Sequence, residues 1–363
     1  MVENRVPAMA TKTAGGLARL AWRSHVLLLV LLTAYAGLSQ VMRGADAPEV
    51  SFELGRIVDI FGVILPMFAL ALIAFLYLRL MLISRGRSPL PILRSWIANM
   101  PWVDVFLFRF PLAVLFLLAI QVLYVSVKVN IPTVAPFSWD ATFAEWDRAL
   151  FFGWDPWVLT HAVFSTPLAT KVIDGLYIAW FFAVYIGFLV FAALPMSSCL
   201  RLGFMLAFGL SWALGGSVLA TMFSSAGPVY MERLFGDPSF GPLMARLHEQ
   251  SDIYSIQALS VQELLWQGYL NPDVQPVGIS AFPSMHNCVM VVIVMGVIHL
   301  NRLAGVLMGL FACAIVIGSV HLGWHYFVDS LAGCLLGWGF WLAGLWLATW
   351  WLGPEGPKPH SAA

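Results

Sequence analysis

Residues 281–286 read Ala281-Phe282-Pro283-Ser284-Met285-His286, and an apolar run over 289–300 follows them. A second stretch, Ser319-Val320-His321-Leu322-Gly323-Trp324-His325-Tyr326-Phe327-Val328-Asp329, opens the apolar run 331–352. In both, a histidine follows a backbone break and stands at the mouth of a long apolar segment. About 20 such residues span a bilayer as a helix. An ionisable side chain held at that mouth is costly and marks a candidate site. These two stretches therefore decide the fold class and also say where chemistry would sit.

Composition agrees. Of 363 residues, 60% are hydrophobic and 10% charged, whereas soluble domains are roughly a quarter charged. We read an all-α integral membrane protein with eight transmembrane helices, at 25–42, 57–83, 106–127, 172–194, 202–223, 283–300, 303–322 and 326–352. The chain divides into an N-terminal segment 1–23, spans and an interfacial helix over 24–170, a membrane domain 171–352 that carries both histidine stretches, and a tail 353–363. The basic start before 25–42 also describes a signal peptide, but the run is long and no small-residue cleavage site ends it. An uncleaved helix is expected. The net charge of zero gives nucleic acid binding no electrostatic support. Cys199, Cys288, Cys313 and Cys334 have neither disulfide nor metal spacing. No metal and no cofactor is expected, and oligomeric state is open.

With eight helices both termini lie on one side. Twelve Lys and Arg residues fall there, among them Arg5, Arg85 and Arg302, against seven on the other, among them Lys128, Lys171 and Arg233. The positive-inside rule then makes the termini cytoplasmic. His286, His325 and Asp329 fall on the outer face, periplasmic or lumenal.

Two outer segments are too polar to span. In 139–159, Phe143, Trp146 and Leu150 recur at helical spacing with Asp140, Glu145, Asp147 and Arg148 between them, which predicts an interfacial helix. The segment 224–279 is the longest break. Leu259, Leu264, Leu265 and Trp266 predict a helix within it, and a lid or a membrane-resting cap fits equally.

His325 and Asp329 are four apart, so they share one helical face. The carboxylate can hold one imidazole nitrogen and leave the other free as a nucleophile. A pair that merely satisfies itself is the alternative. Before His286, Ser284 suits a helix cap and Pro283 a first turn. Such a terminus offers N–H groups to an anion; a plain cap is the alternative. Asp174 and Tyr177 lie near the mouth of the fourth span, where Asp174 is expected to pair with Lys171. His161, His248 and His299 are expected to be structural.

Pro283-Ser-Met-His286 resembles the second motif of the type 2 phosphatidic acid phosphatase (PAP2) superfamily. His325-Tyr-Phe-Val-Asp329 resembles the end of its third motif, in the expected order. The wording is most similar to the inositol phosphorylceramide synthase branch. The resemblance implies a phospholipid or other lipid phosphate substrate, a phosphohistidine on His325 steadied by Asp329, and leaving-group protonation by His286. Ser284 would help hold the phosphate. The sequence departs from the pattern in two places. An Arg normally stands six residues before the third-motif His, where this chain has Ser319. A first motif with a Lys and an Arg-Pro pair is not recognisable. The nearest stand-in is 224–233, whose Tyr230 and Arg233 are candidates for the phosphate, although a plain surface Arg fits as well. His321, one turn from His325, is another candidate to replace lost charge. A diester carries one charge and a monoester nearly two. Missing cationic contacts, each worth roughly 1.5–3 kcal/mol, therefore harm a diester site less. The expectation is head-group transfer between lipids, of the inositolphosphotransferase or phosphorylceramide synthase kind. The alternatives are a lipid phosphate or polyprenyl pyrophosphate phosphatase and, in another class, a catalytically inactive transporter or lipid-binding protein. The last predicts ionisable groups in mid-span, whereas here they gather at one face.

Overall fold

The computed structural model describes residues 14–43, 90–99, 109–193, 196–272 and 277–353, with seven isolated positions between 66 and 88. Among them there is no strand. The longer helices are α1 (Ala14–Arg43), α2 (Leu90–Asn99), α3 (Phe110–Lys128), α4 (Asp140–Leu150), α5 (Pro156–Val163), α6 (Pro167–Ala193), α7 (Ser198–Leu210), α8 (Gly241–Ser251), α9 (Gln257–Leu270), α10 (Met285–Leu300), α11 (Arg302–His321) and α12 (Phe327–Leu352). α7 runs on through a widened π-helical stretch, Ser211–Leu219, to Met222.

Six described helices are long and apolar enough to cross a membrane: Trp22–Arg43, Phe110–Val134, Pro167–Phe191, Ser198–Met222, Arg302–His321 and Phe327–Leu352. Met285–Leu300 is shorter. It starts at the histidine break, and Asn301 then caps α11 at once by accepting from the Ala304 N–H at 2.9 Å. The expected span 57–83 lies outside the described residues apart from isolated positions, so the count of eight rests on sequence alone.

α12 shows how the bundle is built. Leu331, Leu335, Leu342, Trp346 and Trp350 are exposed along one side, the side that suits lipid. Gly333, Gly337, Trp341, Gly344 and Ala348 are buried along the other. Small residues on a membrane helix let backbones approach closely. A methyl on Gly337 would overlap the Cys288 carbonyl of α10, and one on Gly344 would overlap the Gly203 carbonyl of α7. α12 therefore packs against both α7 and α10, while α10 also lies against α11, and α11 against α6. This contact sets the depth of α10 relative to α12, and the two histidines stand at their N-terminal ends.

The outer segments fold on top of these ends. The expected interfacial helix is two helices, α4 and α5. Its buried face also differs from the expected one: Asp140, Phe143, Ala144 and Asp147 are buried, while Trp146 and Leu150 are 49% and 52% exposed. Buried carboxylates are tolerated only when paired or hydrogen-bonded, and both aspartates find backbone donors, described below. The segment 224–279 carries α8 and α9, and α9 contains the helix expected around Leu259–Trp266. The expected Lys171–Asp174 pair forms at 3.3 Å. Asp174 also accepts from the Gln257 and Ala258 N–H groups, each at 2.9 Å, at the start of α9.

Gly337→Ala should force α10 and α12 apart and destabilise the protein by about 1–3 kcal/mol, the usual range for overpacking. Gly339→Ala, whose added methyl would have nothing within 4 Å, should leave stability unchanged. Thermal unfolding of the two variants in detergent distinguishes them.

Candidate active site

The site forms where two chain breaks meet. The first break runs through 278–284 into α10; the second runs through 322–326 into α12. A third segment, 224–227, braces both. Ser225 accepts the Ala281 N–H on its carbonyl at 2.9 Å and the Phe282 N–H on its hydroxyl at 3.1 Å. Gly227 (φ +99°) lies so near the second break that a β-carbon there would sit 2.6 Å from the Trp324 carbonyl. The Val229 N–H donates to Gly323 O at 3.1 Å.

Carboxylates fasten the second break. Asp147 Oδ2 accepts from the Phe327 N–H at 2.7 Å and Oδ1 from Val328 at 2.9 Å. Asp329 Oδ2 accepts from the Tyr326 N–H at 3.0 Å. The N–H groups of Tyr326, Phe327 and Val328 at the start of α12 are thus taken by acids, the usual remedy for orphan donors at a helix start. Asp140 accepts from the Ala226 and Gly227 N–H groups at 3.0 and 2.8 Å and from the Tyr326 hydroxyl at 3.1 Å. Burial pushes Asp147 up to about 7 against the pull of its two N–H donors, and the neighbouring Asp329 and Asp155 charges add to the rise. Burial also raises Asp140.

Between these fastenings the imidazoles of His286 and His325 face each other edge to face, with ring centres 6.0 Å apart. Tyr177 stacks on His286 at 4.5 Å and Trp180 leans on it at 4.1 Å. The Trp180 indole also donates to the His286 carbonyl at 2.9 Å. His286 Nε2 is buried without a hydrogen-bond partner, and so are His325 Nδ1 and Asp329 Oδ1. His325 Nδ1 stands 3.6 Å from Asp329 Oδ2, beyond hydrogen-bond length. Contacts of this kind commonly tighten only when substrate binds. Burial holds the His325 imidazole down to about 3, partly opposed by a hydrogen bond with the Ala281 backbone and assisted by Lys128. The ring is therefore neutral near pH 7, as a nucleophile requires. Unpaired buried polar atoms are rare in folded proteins, and here three of them belong to the neighbouring side chains His286, His325 and Asp329.

The remaining predicted site residues are engaged elsewhere. Ser284 stands at the cap position of α10 but makes no cap bond. Its hydroxyl instead accepts from Asn287 Nδ2 at 3.0 Å, and its N–H donates to Asp329 O at 3.0 Å. Pro283 precedes the cap and is not in the first turn. Asn287 Nδ2 also donates to the Ser319 hydroxyl at 3.1 Å. A neutral Ser284–Asn287–Ser319 network thus occupies the position where the third motif would place its Arg. His321 is turned away from His325. It stacks flat on His161 at 3.7 Å and meets Thr170 and Thr160 at 2.9 and 3.2 Å. The Tyr230 hydroxyl donates to Gln262 O at 2.9 Å, and Arg233 pairs with Glu263 at 2.8 Å. Both line a cavity of about 450 Å³ whose lining includes neither imidazole. The four candidates for holding the phosphate, Ser284, His321, Tyr230 and Arg233, thus each have a protein partner, and only Ser284 adjoins the start of α10 beside His286.

Sequence reasoning missed Asp140 and Asp147 as site-building residues. Their signal was present: positions 140, 143, 144 and 147 form a helical stripe in which acids alternate with apolar residues. Among the described residues, no group of three or more His, Cys, Asp or Glu side chains is placed to hold a metal ion.

A family model described as the PAP2 superfamily matches residues 141–343. The chain belongs to the PAP2 superfamily. Neither a search of curated proteins nor one of solved structures found a match. The matched range opens in α4, one residue after Asp140, and takes in Asp147, both histidines and Asp329. Membership supports phosphatase- or phosphotransferase-type chemistry on phosphate esters, in keeping with a membrane-embedded PAP2 protein that meets lipid-type substrates.

The carboxylate fastening is testable. Asp147→Ala should cost about 1–3 kcal/mol, because it strands buried N–H donors, and should lower any turnover by loosening the His325 break. Asp147→Asn retains one acceptor and should fall between. The pH dependence has a definite sign. With the folded-state pKa raised to about 7 and the unfolded value near roughly 4, the native state holds the extra proton between these limits. The Asp147 contribution is therefore full at low pH and is lost as pH rises through 7. Unfolding free energies of parent and Asp147→Asn, measured from pH 4 to 8, should differ by a component with that slope.

Proposed function

We propose that this protein transfers a phospho-head group between lipids through a covalent adduct on His325. The observation that carries the proposal is the facing pair His286 and His325, with unpartnered nitrogens on both rings beside Asp329.

The chemistry follows from that placement. A ring nitrogen of His325 attacks the phosphorus of a lipid phosphodiester. The N–P bond forms, and the bond from phosphorus to the lipid oxygen breaks. His286, made imidazolium by the bound phosphate anion, gives its proton to that oxygen. The phosphorus keeps its head group and stays on His325. An acceptor hydroxyl then loses its proton to His286 and attacks phosphorus, and the N–P bond breaks. Asp329 steadies the cationic character that His325 gains in the first step. The start of α10 adds backbone donors for the phosphate oxygens, because its cap residue supplies no side-chain acceptor. The start of α12 cannot do this, being closed by Asp147 and Asp329.

The neutral Ser284–Asn287–Ser319 network favours a diester, which brings one charge rather than nearly two. α8 and α9 above the site favour transfer over hydrolysis by keeping water from the adduct. The positive-inside count over eight helices supports a site on the outer face. Within the same chemistry, water as the acceptor gives the phosphatase reading.

The test uses the purified full chain in mixed micelles. A labelled diester phospholipid is supplied with and without ceramide or diacylglycerol, and products are separated by mass spectrometry. Labelled product on the acceptor should exceed free head-group phosphate. His325→Ala and His286→Ala should each lose at least about a thousandfold in rate, in line with loss of a nucleophile or a general acid. Asp329→Asn should lose less while remaining folded. Near-normal turnover by His325→Ala would rule the mechanism out, and faster cleavage of phosphatidate than of any diester would make the protein a phosphatase.

A further inference from the structure

By sequence Lys128 is one of the seven cations counted on the side opposite the termini, and the family match begins beyond it. Its surroundings say otherwise. Lys128 closes α3, and its main chain lies against the first break: a β-carbon on Gly278 would overlap the Lys128 carbonyl and come within 2.8 Å of Val129 N. Its ammonium lies 5.9 Å from the centre of the Tyr124 ring. That ring packs on Trp212 at 4.5 Å. It also closes on Gly216, where a β-carbon would meet Tyr124 Cε2 at 2.8 Å and Met285 Cε at 3.5 Å. Met285 is the residue before His286. Both the backbone of Lys128 and the ring beside its ammonium thus border the segment that delivers His286. After burial, the Lys128 charge helps to keep the His325 imidazole neutral.

Three other described cations have acid partners, Arg148 with Asp155, Lys171 with Asp174 and Arg233 with Glu263, while Arg23, Arg201 and Arg246 donate to backbone carbonyls. Lys128 has neither an ion pair nor a hydrogen bond from its ammonium to any described residue. A half-buried ammonium at the end of a membrane helix is costly without an anion nearby. We infer that Lys128 is the phosphate-holding cation of this site, reaching the substrate phosphate beside His286 and His325 from α3. The inference rests on the phosphate chemistry proposed above and deepens it. Lysine offers one compact charge and no fork, which suits the single charge of a diester. The positive charge that a motif Arg at position 319 would supply comes instead from a different helix.

The experiment uses the full chain in micelles and two readouts. The first is steady-state kinetics on the diester lipid for the parent, Lys128→Met, Lys128→Arg and His325→Ala. Lys128→Met should raise KM about ten- to a hundredfold, the range of a lost charged contact. Lys128→Arg should recover part of that loss. The second is acylation of lysines in the parent, mapped by mass spectrometry with and without saturating inorganic orthovanadate as a phosphate analogue. Lys128 should be protected and Lys171 should not. This readout needs no variant to fold. Unchanged KM in Lys128→Met, or equal labelling of Lys128 with and without orthovanadate, overturns the inference. If His325→Ala is inactive while Lys128→Met behaves as the parent, only the role of Lys128 falls. If His325→Ala stays active, the phosphohistidine reading falls instead.

Discussion

The structure depends on one contact: the Asp147 carboxylate gripping the N–H groups of Phe327 and Val328. α12 is a membrane helix whose first turn must find acceptors where little water is available. Asp147 supplies them from outside the bilayer, and Asp329 adds one from within the helix. The same α4 holds the 226–227 backbone through Asp140, and its Phe143 stacks on Phe282 at 4.9 Å. One short amphipathic helix thereby fixes both breaks, and with them the separation of His286 and His325. The glycine contacts of α12 with α7 and α10 fix the same geometry from below. A shift in either would change the distance between the imidazoles.

Electrostatics follow from that frame. The acids near the site are spent on backbone donors, so His325 stands beside a carboxylate that is itself tied to Tyr326 N. Burial keeps its imidazole neutral. The position that family resemblance assigns to an Arg is filled by Ser319, held by Asn287 and by the Ile315 carbonyl at 2.9 Å, and it is fully buried. A guanidinium would not fit there without breaking the network that joins α10 to α11. Under the proposed mechanism the phosphate is met by one lysine and by backbone, a weaker positive field than a Lys with two arginines would make, and one matched to a diester.

Much of this was legible in the sequence. The apolar runs located the long helices, because a membrane span is a signal of length and composition rather than of packing. The histidine pair and Asp329 were legible because local order, a Pro-Ser break and an i,i+4 spacing, places them at helix mouths. The Lys171–Asp174 pair was legible for the same local reason. The partners of His321, Tyr230 and Arg233 were not, since each is set by residues 30 or more positions away. His321 illustrates the limit: spacing put it one turn from His325, but stacking on His161 of α5 turned it elsewhere. By sequence, Asp140 and Asp147 are polar positions between the apolar ones of an interfacial helix, with no partner indicated. Only the fold shows that backbone N–H groups wait opposite them. Lys128 was hidden in the same way, since nothing local ties α3 to the 278–286 break.

The most direct measurement is the adduct itself. The full chain is mixed with a diester phospholipid in the absence of acceptor and quenched in alkali within the first turnover, and its peptides are mapped by mass spectrometry. The account predicts a phospho-head group on His325 that disappears when an acceptor lipid is added before the quench. An unmodified His325 throughout turnover, or an adduct on any other side chain, would contradict it.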